Sequence, residues 1–342
     1  MPDLRRPLDT RDRFAATFGS RPVRRAEALA AGFSRGQLRA ALARGLLTSP
    51  RHGVVAFNAE LGATVGTAPP GPQPDAHVAA LRAALESVGD GALASHDSAA
   101  ILLGLARPSA SAPSLVTLVR PGAADSATPG LRIHGSGVPH HQRTAVHGIP
   151  TTDLRRTAID LARGRRLPES LIPLDSAARL LAVEMSGVRG PGLRRVVLDP
   201  LLRAAVRDEL ASALSSCFGW PGTVAVREAL PFVDPAAESP LESRSRGWFI
   251  EAGIRTLLIG TEIHCAGATY WADFCEPDLH VIGEADGWGK YGDTALATRE
   301  VVELERQRQR DLEAAGWTVV RWLSTDRRPV VIGRMLSALG RA

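Results

Sequence analysis

The stretch YWADFCEPDLHVIGEAD (270–286) places two acids symmetrically about a turn. Asp273 and Glu284 are equidistant from the Asp278–Leu279 bond, next to the segment Glu276-Pro277-Asp278 that separates two strand-like runs. Paired as an antiparallel hairpin, these runs bring the two acids near-opposite on one face, about 5 Å apart at Cβ. Asp286, two residues after Glu284, shares that face because side chains alternate along a strand. The spacing predicts three carboxylates converging on a half-buried sheet with no basic residue between them. Such a cluster repels itself, and a bound Mg²⁺ or Mn²⁺, which favour all-oxygen ligands, relieves the repulsion. Lys290, the only lysine among 41 basic residues, follows four positions later.

The flanking residues predict the framework that carries these acids. Ser239-Pro240-Leu241-Glu242 has capping-box form, with Pro240 at the first helical position, and opens a helix through ESRSRGWFIEAG. Two strands follow, around TEIHCA and TYWADF, with Gly267-Ala268 as the turn between them. The strand LHVIGEAD comes next. A long helix through ATREVVELERQRQRDLEAAG then stops at Gly316, before a last strand, TVVRWL. In the long helix Arg299, Arg306 and Arg310 alternate with Glu300, Glu303, Glu305 and Asp311, which reads either as a solvated, ion-paired surface or as a phosphate-facing stripe. Glu242 is either a capping residue only or a fourth carboxylate of the cluster, and Lys290 either a surface lysine or one that acts on water or phosphate. Acids, metal and lysine on a mixed sheet flanked by helices are what phosphodiester hydrolysis needs.

The combination ESPLESR, YWADF, GEADGWGKYG and RQRQRDLEAAGWTVVRW resembles the PD-(D/E)XK nuclease superfamily, in the branch similar to the very-short-patch-repair (Vsr) endonucleases. The resemblance covers nearly all of 238–323. It implies a restriction-endonuclease-like mixed sheet flanked by helices, with Asp273 as the central metal ligand, Glu284 and Asp286 as its companions and Glu242 as the helix carboxylate. The sequence departs from the pattern in three places. Asp286 stands where the superfamily usually has lysine, no histidine follows it, which leaves Lys290 as the candidate substitute, and Gly283 interrupts the strand just before Glu284.

The other end of the chain reads as a winged helix-turn-helix. A helix through RRAEALAAG stops at Gly32, and Ser34-Arg35-Gly36-Gln37 forms a second capping box. Leu38 and Leu42 bury one face of the helix it opens, which ends at Gly45. Leu46-Leu47 and 54–57 form two short strands, a wing. In such a motif the second helix enters the major groove, so Arg35, Gln37 and Arg39 are the candidates to reach base edges, and Arg44, Arg51 and His52 to meet phosphates. A winged helix used only for protein contacts is the other reading. RHGVVAF, LASHDSAAILLGL and GIPTTDLRRTAIDLAR resemble the AbiEi family of type IV antitoxins over about 10–165. That resemblance implies promoter binding, repression and a cognate toxin protein as partner.

The expected organisation is a multidomain α/β chain: winged helix over 1–62, linker over 63–74 within the Pro/Gly stretch GTAPPGPQPD, a middle α/β region over 75–235 and the nuclease-like domain over 236–342. Thr152 is the expected cap of a helix that stops at Gly164. Ser95-His96-Asp97 has triad letters but lies consecutively, which triad members rarely do. His134, His140, His141 and His147 lack metal-ligand spacing and read as loop histidines. Three cysteines without a CxxC argue against a disulfide scaffold and a thiolate zinc site, and a reducing cytoplasm is expected. A mean hydropathy of −0.03, with no apolar run of membrane-spanning length and none after the N-terminal arginines, gives no reason to expect a membrane helix or a secretory signal. The net charge of +5 favours an anionic partner, double-stranded DNA, without requiring one. The leading expectation is a Mg²⁺-dependent DNA endonuclease with a separate DNA-binding module, serving phage defence or DNA repair. The competing expectation is a non-enzymatic antitoxin or repressor with an inactive nuclease-like domain, and a protein-interaction scaffold is a third.

Overall fold

The computed structural model describes residues 5–57, 74–109, 111, 113–286 and 295–341. Among them the chain is a mixed α/β protein with three sheets and thirteen α-helices. It divides into two compact units, one of 1–104 with 109–157 and one of 105–108 with 158–342. The division falls inside a helix rather than at the Pro-rich segment 231–240. The expected linker centre, 63–73, lies outside the described residues.

The first unit begins with α1 (Arg5–Phe18), β1 (Val23–Arg24), α2 (Arg25–Ala30), α3 (Arg35–Ala43), β2 (Leu47–Thr48) and β3 (Val54–Phe57). The strands form one antiparallel sheet in the order β1-β3-β2. Phe14, Val23, Phe33, Leu38, Ala41, Leu47 and Val55 form the core beneath the helices, so the apolar spacing of α3 does bury one face. The Ser34 capping box is complete: Ser34 Oγ accepts the Gln37 N–H at 3.1 Å and Gln37 Oε1 accepts the Ser34 N–H at 2.8 Å.

The same unit continues with α4 (Pro74–Val88), β4 (Leu93–Ala94), α5 (His96–Leu103), β5 (Val116–Val119), β6 (Ser126–Thr128), β7 (Leu131–His134), β8 (Arg143–Val146) and β9 (Ile149–Thr152). Its six strands are ordered β6-β7-β5-β4-β9-β8. α6 (Leu154–Ala162) starts one residue later than expected. Asp153, not Thr152, caps it, since Asp153 Oδ1 accepts the Arg156 N–H at 2.8 Å. Thr152 is the buried end of β9, with its hydroxyl 2.7 Å from that of Thr157.

The second unit contains α7 (Leu167–Ser186), α8 (Leu193–Val196), α9 (Pro200–Ser215), α10 (Thr223–Ala229) and α11 (Pro240–Glu251). These precede β10 (Leu258–Cys265), β11 (Ala268–Glu276), β12 (Val281–Asp286), α12 (Ala295–Ala314), β13 (Thr318–Leu323) and α13 (Arg328–Ala338). The sheet order is β10-β11-β12-β13, antiparallel except for the parallel β12–β13 pair that α12 connects. The β10–β11 turn is Ala266-Gly267, both at positive φ, one residue earlier than expected.

α11 is buried between α7 and the sheet. Its Arg246 forms a buried ion pair with Asp175 of α7, at 2.5 and 2.6 Å to the two carboxylate oxygens, and donates to the Phe232 carbonyl. Gly247 permits the close approach of α7, since a Cβ there would fall 2.4 Å from Pro168 Cα. Gly283, the expected weak point of β12, has a packing reason: a Cβ would meet the Trp322 ring and Met335 at 2.9 Å. Trp322, buried against Phe249 and Phe274, donates its indole N–H to Ser245 Oγ at 2.9 Å. No helix among the described residues is long and apolar enough to cross a membrane.

Candidate functional site

The register of β11 and β12 pairs Phe274 with Gly283, Cys275 with Ile282 and Glu276 with Val281. Continued by one step, it sets Asp273 opposite Glu284, but the ladder stops at Phe274–Gly283. Beyond that point side chains take over. Asp273 Oδ2 accepts the Ala285 N–H at 2.8 Å. Here a cavity of about 290 Å³ opens, lined by Glu238, Glu242, Asp273 and Glu284 together with Arg194, Arg308 and Trp271. Gly260 and Asp273 line this cavity, whereas Ile259, Thr261 and Phe274 line a larger, more apolar one.

Glu242 reaches the cavity from α11. Ser239 Oγ caps that helix by accepting the Glu242 N–H at 3.2 Å, but the Glu242 carboxyl does not accept the Ser239 N–H. Its Oε2 accepts the N–H of Glu238 at 2.8 Å instead. The expected reciprocal box is therefore only half formed, and Glu242 is 6% exposed. Burial, reinforced by Asp273, pushes the Glu242 carboxyl up to about 8. Burial and Asp273 likewise push Glu284, 3% exposed, up to about 7.

The expectation of an acid cluster without basic partners does not hold. Arg308 of α12 donates to Glu284 Oε1 at 2.5 Å and to the Trp271 carbonyl at 2.8 Å. Asp286 shares a strand face with Glu284 but does not line the cavity. It lies 3.4 Å from Arg321 of β13, the residue in register with Glu284. Glu238 is neutralised by Arg179 and Arg194, each at 2.8 Å. The lining thus holds four carboxyl groups and two guanidinium groups. Among the described residues no three His, Cys, Asp or Glu side chains are gathered closely enough to hold a metal ion as they stand. Lys290 lies outside the described residues.

Arg308, Arg321 and Arg194 are the site residues that sequence reasoning missed. A signal existed for Arg308: it precedes the buried Leu312 by one helical turn and so lies on the sheet-facing stripe of α12. Of the arginines that were singled out, Arg306 and Arg310 are exposed and bonded to Glu303, the ion-paired surface arrangement. Nothing is described of the Arg299 side chain.

In the first unit, Arg35, Arg39 and Arg44 on and after α3 are exposed and have no acidic partner among the described residues. Arg25, which was not singled out, joins Arg35 and Arg39 around a depression of about 510 Å³ whose apolar walls are Ala26, Leu29 and Leu42. Gln37 is held by the capping box. Arg51 is half-buried and donates to the Gly130 carbonyl at 2.5 Å, so it is not a free phosphate contact, whereas His52 is exposed. His96 stacks on His134 with ring centroids 4.5 Å apart and bonds its neighbour Ser95 at 3.2 Å, a local packing arrangement.

No protein-family model matches the chain. It is 29% identical over 206 residues, 60% of its length, to an uncharacterized protein of Mycobacterium tuberculosis, Rv2248 in strain H37Rv and MT2308 in strain CDC 1551. The matched part spans 65% of the length of that relative.

Proposed function

We propose that this chain binds double-stranded DNA and cleaves it by metal-dependent phosphodiester hydrolysis. The observation that carries the reading is that Glu242, Asp273 and Glu284, from α11, β11 and β12, line one cavity. Mg²⁺ is commonly held by one or two carboxylates, with waters and substrate phosphate filling its other positions. Asp273 and Glu284 are the oxygen donors that would hold Mg²⁺ or Mn²⁺, with Glu242 as the third carboxylate; Asp286 would assist only by leaving Arg321. When bound, the metal supplies an activated water and offsets the charge of the leaving oxygen. In this reading the second unit contains a Vsr-like nuclease fold, residues 5–57 a winged helix, and Arg35, Arg39 and Arg44 the DNA-facing surface.

The test is incubation of the full chain with supercoiled plasmid, with and without Mg²⁺. Nicking is expected with Mg²⁺, and none in EDTA or in Asp273→Ala and Glu284→Ala, while DNA binding survives in both variants. Lys290→Ala is expected to slow turnover without loss of metal affinity. Cleavage that persists in EDTA overturns the metal-dependent assignment. In binding assays, Arg35→Ala is expected to cost about 1–3 kcal/mol at one base position, and Arg44→Ala to weaken binding to every sequence and flatten its salt dependence.

A second reading, a non-enzymatic antitoxin or repressor, is favoured by one observation. Glu284 and Asp286 are both engaged by arginines, the arrangement of a stable ion-pair network. Sequence-specific operator binding, a toxin partner and no cleavage of any DNA would select it.

A further inference from the structure

We infer that Arg308 is a positioning residue that fixes the Glu284 carboxylate where strands β11 and β12 part. The inference rests on the proposed metal-dependent reading of the cavity. The ladder ends at Phe274–Gly283, so no backbone pairing holds the two strands together at the acids themselves. One nitrogen of Arg308, Nη2, touches both strands there: it donates to the Trp271 carbonyl of β11 at 2.8 Å and to Glu284 Oε1 of β12 at 2.5 Å. Its other terminal nitrogen, Nη1, donates to Glu305 Oε1 at 3.3 Å. Glu305 also accepts from Arg321 at 2.5 Å, and Arg321 reaches Asp286 at 3.4 Å.

Charges therefore alternate from Glu284 through Arg308, Glu305 and Arg321 to Asp286. The guanidinium is restrained at its base as well as its tip, because Leu312, one turn along α12, is fully buried among Ile263, Ala272, Cys275 and Ile282. Glu284 is thus held through one oxygen, which leaves Oε2 for a metal ion. Partners that orient a ligand in this way commonly contribute 10–100-fold to metal affinity. A lysine carries the charge but not the planar fork that lets one side chain span Trp271, Glu284 and Glu305.

The experiment is calorimetric titration of the full chain with Mn²⁺, without DNA, for wild type, Arg308→Met, Arg308→Lys and the exposed control Arg310→Met. Near-UV circular dichroism checks the fold of each. Arg308→Met is expected to bind Mn²⁺ about 10–100-fold more weakly, Arg308→Lys to recover only part of the loss, and Arg310→Met to match wild type. Should Arg308→Met fail to fold, Arg308→Lys and Glu305→Gln carry the test, each with a smaller loss in the same direction. Unchanged or tighter binding in Arg308→Met overturns the inference. Full recovery by lysine does so too, because charge alone would then suffice. A wild type that binds no Mn²⁺ defeats the metal reading and this inference together, whereas wild-type binding that is indifferent to Arg308 defeats only the inference.

Discussion

Helices α3 and α11 open on the same local signature, serine followed three residues later by Gln or Glu, and they use it differently. In α3 the Gln37 amide returns to the Ser34 N–H, the cap is complete, and the charged side chains Arg35 and Arg39 face outward. In α11 the Glu242 carboxyl accepts the Glu238 N–H in place of the Ser239 N–H and lines a cavity, while Arg246 runs inward to Asp175. α3 is held by apolar residues on one face; α11 is central and buries charge on more than one side. The comparison teaches that a cap signature fixes where a helix starts but not what its third residue does. That depends on whether the neighbouring elements leave the end of the helix in water.

The sharpest way to break the contrast is at Arg246. Arg246→Met leaves Asp175 buried without its counter-ion and is expected to cost about 3–5 kcal/mol in urea unfolding followed by near-UV circular dichroism. Adding Asp175→Asn should recover part of the loss. The next effect has the opposite sign. The native state holds the Glu242 proton that an unfolded chain releases above the ordinary value of 4.5, so wild-type stability falls as pH rises from there to about 8. Glu242→Gln removes that dependence and, in EDTA at pH 7, is expected to stabilise the fold by about 3 kcal/mol. A variant no more stable than wild type across pH 5–8 would place the Glu242 carboxyl in a far wetter setting.

Smaller still, Ser34→Ala is expected to cost about 1 kcal/mol, the ordinary value of a lost cap. Arg35→Ala and Arg39→Ala should each change stability by less than about 0.5 kcal/mol, because both side chains are exposed and make no ion pair among the described residues. A larger loss in either would mean that α3 depends on charge as α11 does.

The sequence made legible what is local. Both cap serines, the short strands after Gly45 and the register that sets 273 opposite 284 follow from spacing, because each depends on residues within a dozen positions of one another. The alternation that put Asp286 on the face of Glu284 was equally readable. That Asp286 turns to Arg321 was not, since β13 joins β12 only after a 20-residue helix. Arg308 was hidden for a related reason. In sequence it sits in a run of alternating charges, and only its phase relative to Leu312 separates it from Arg306 and Arg310. The one-residue error at Thr152 arose because Thr and Asp both cap helices, and β9 claims the threonine first.

The contact of Gly247 with Pro168, like the Asp175–Arg246 pair, joins α11 to a helix about 70 residues earlier in the chain. A gene segment encoding only 236–342 would therefore lack the helix on which α11 packs. Excised at the proline-rich segment, it would present the bare flank of α11 and an orphaned guanidinium to solvent, and expression should yield aggregate. Shuffling or truncation of this region, in the laboratory or in evolution, has to carry α7 along.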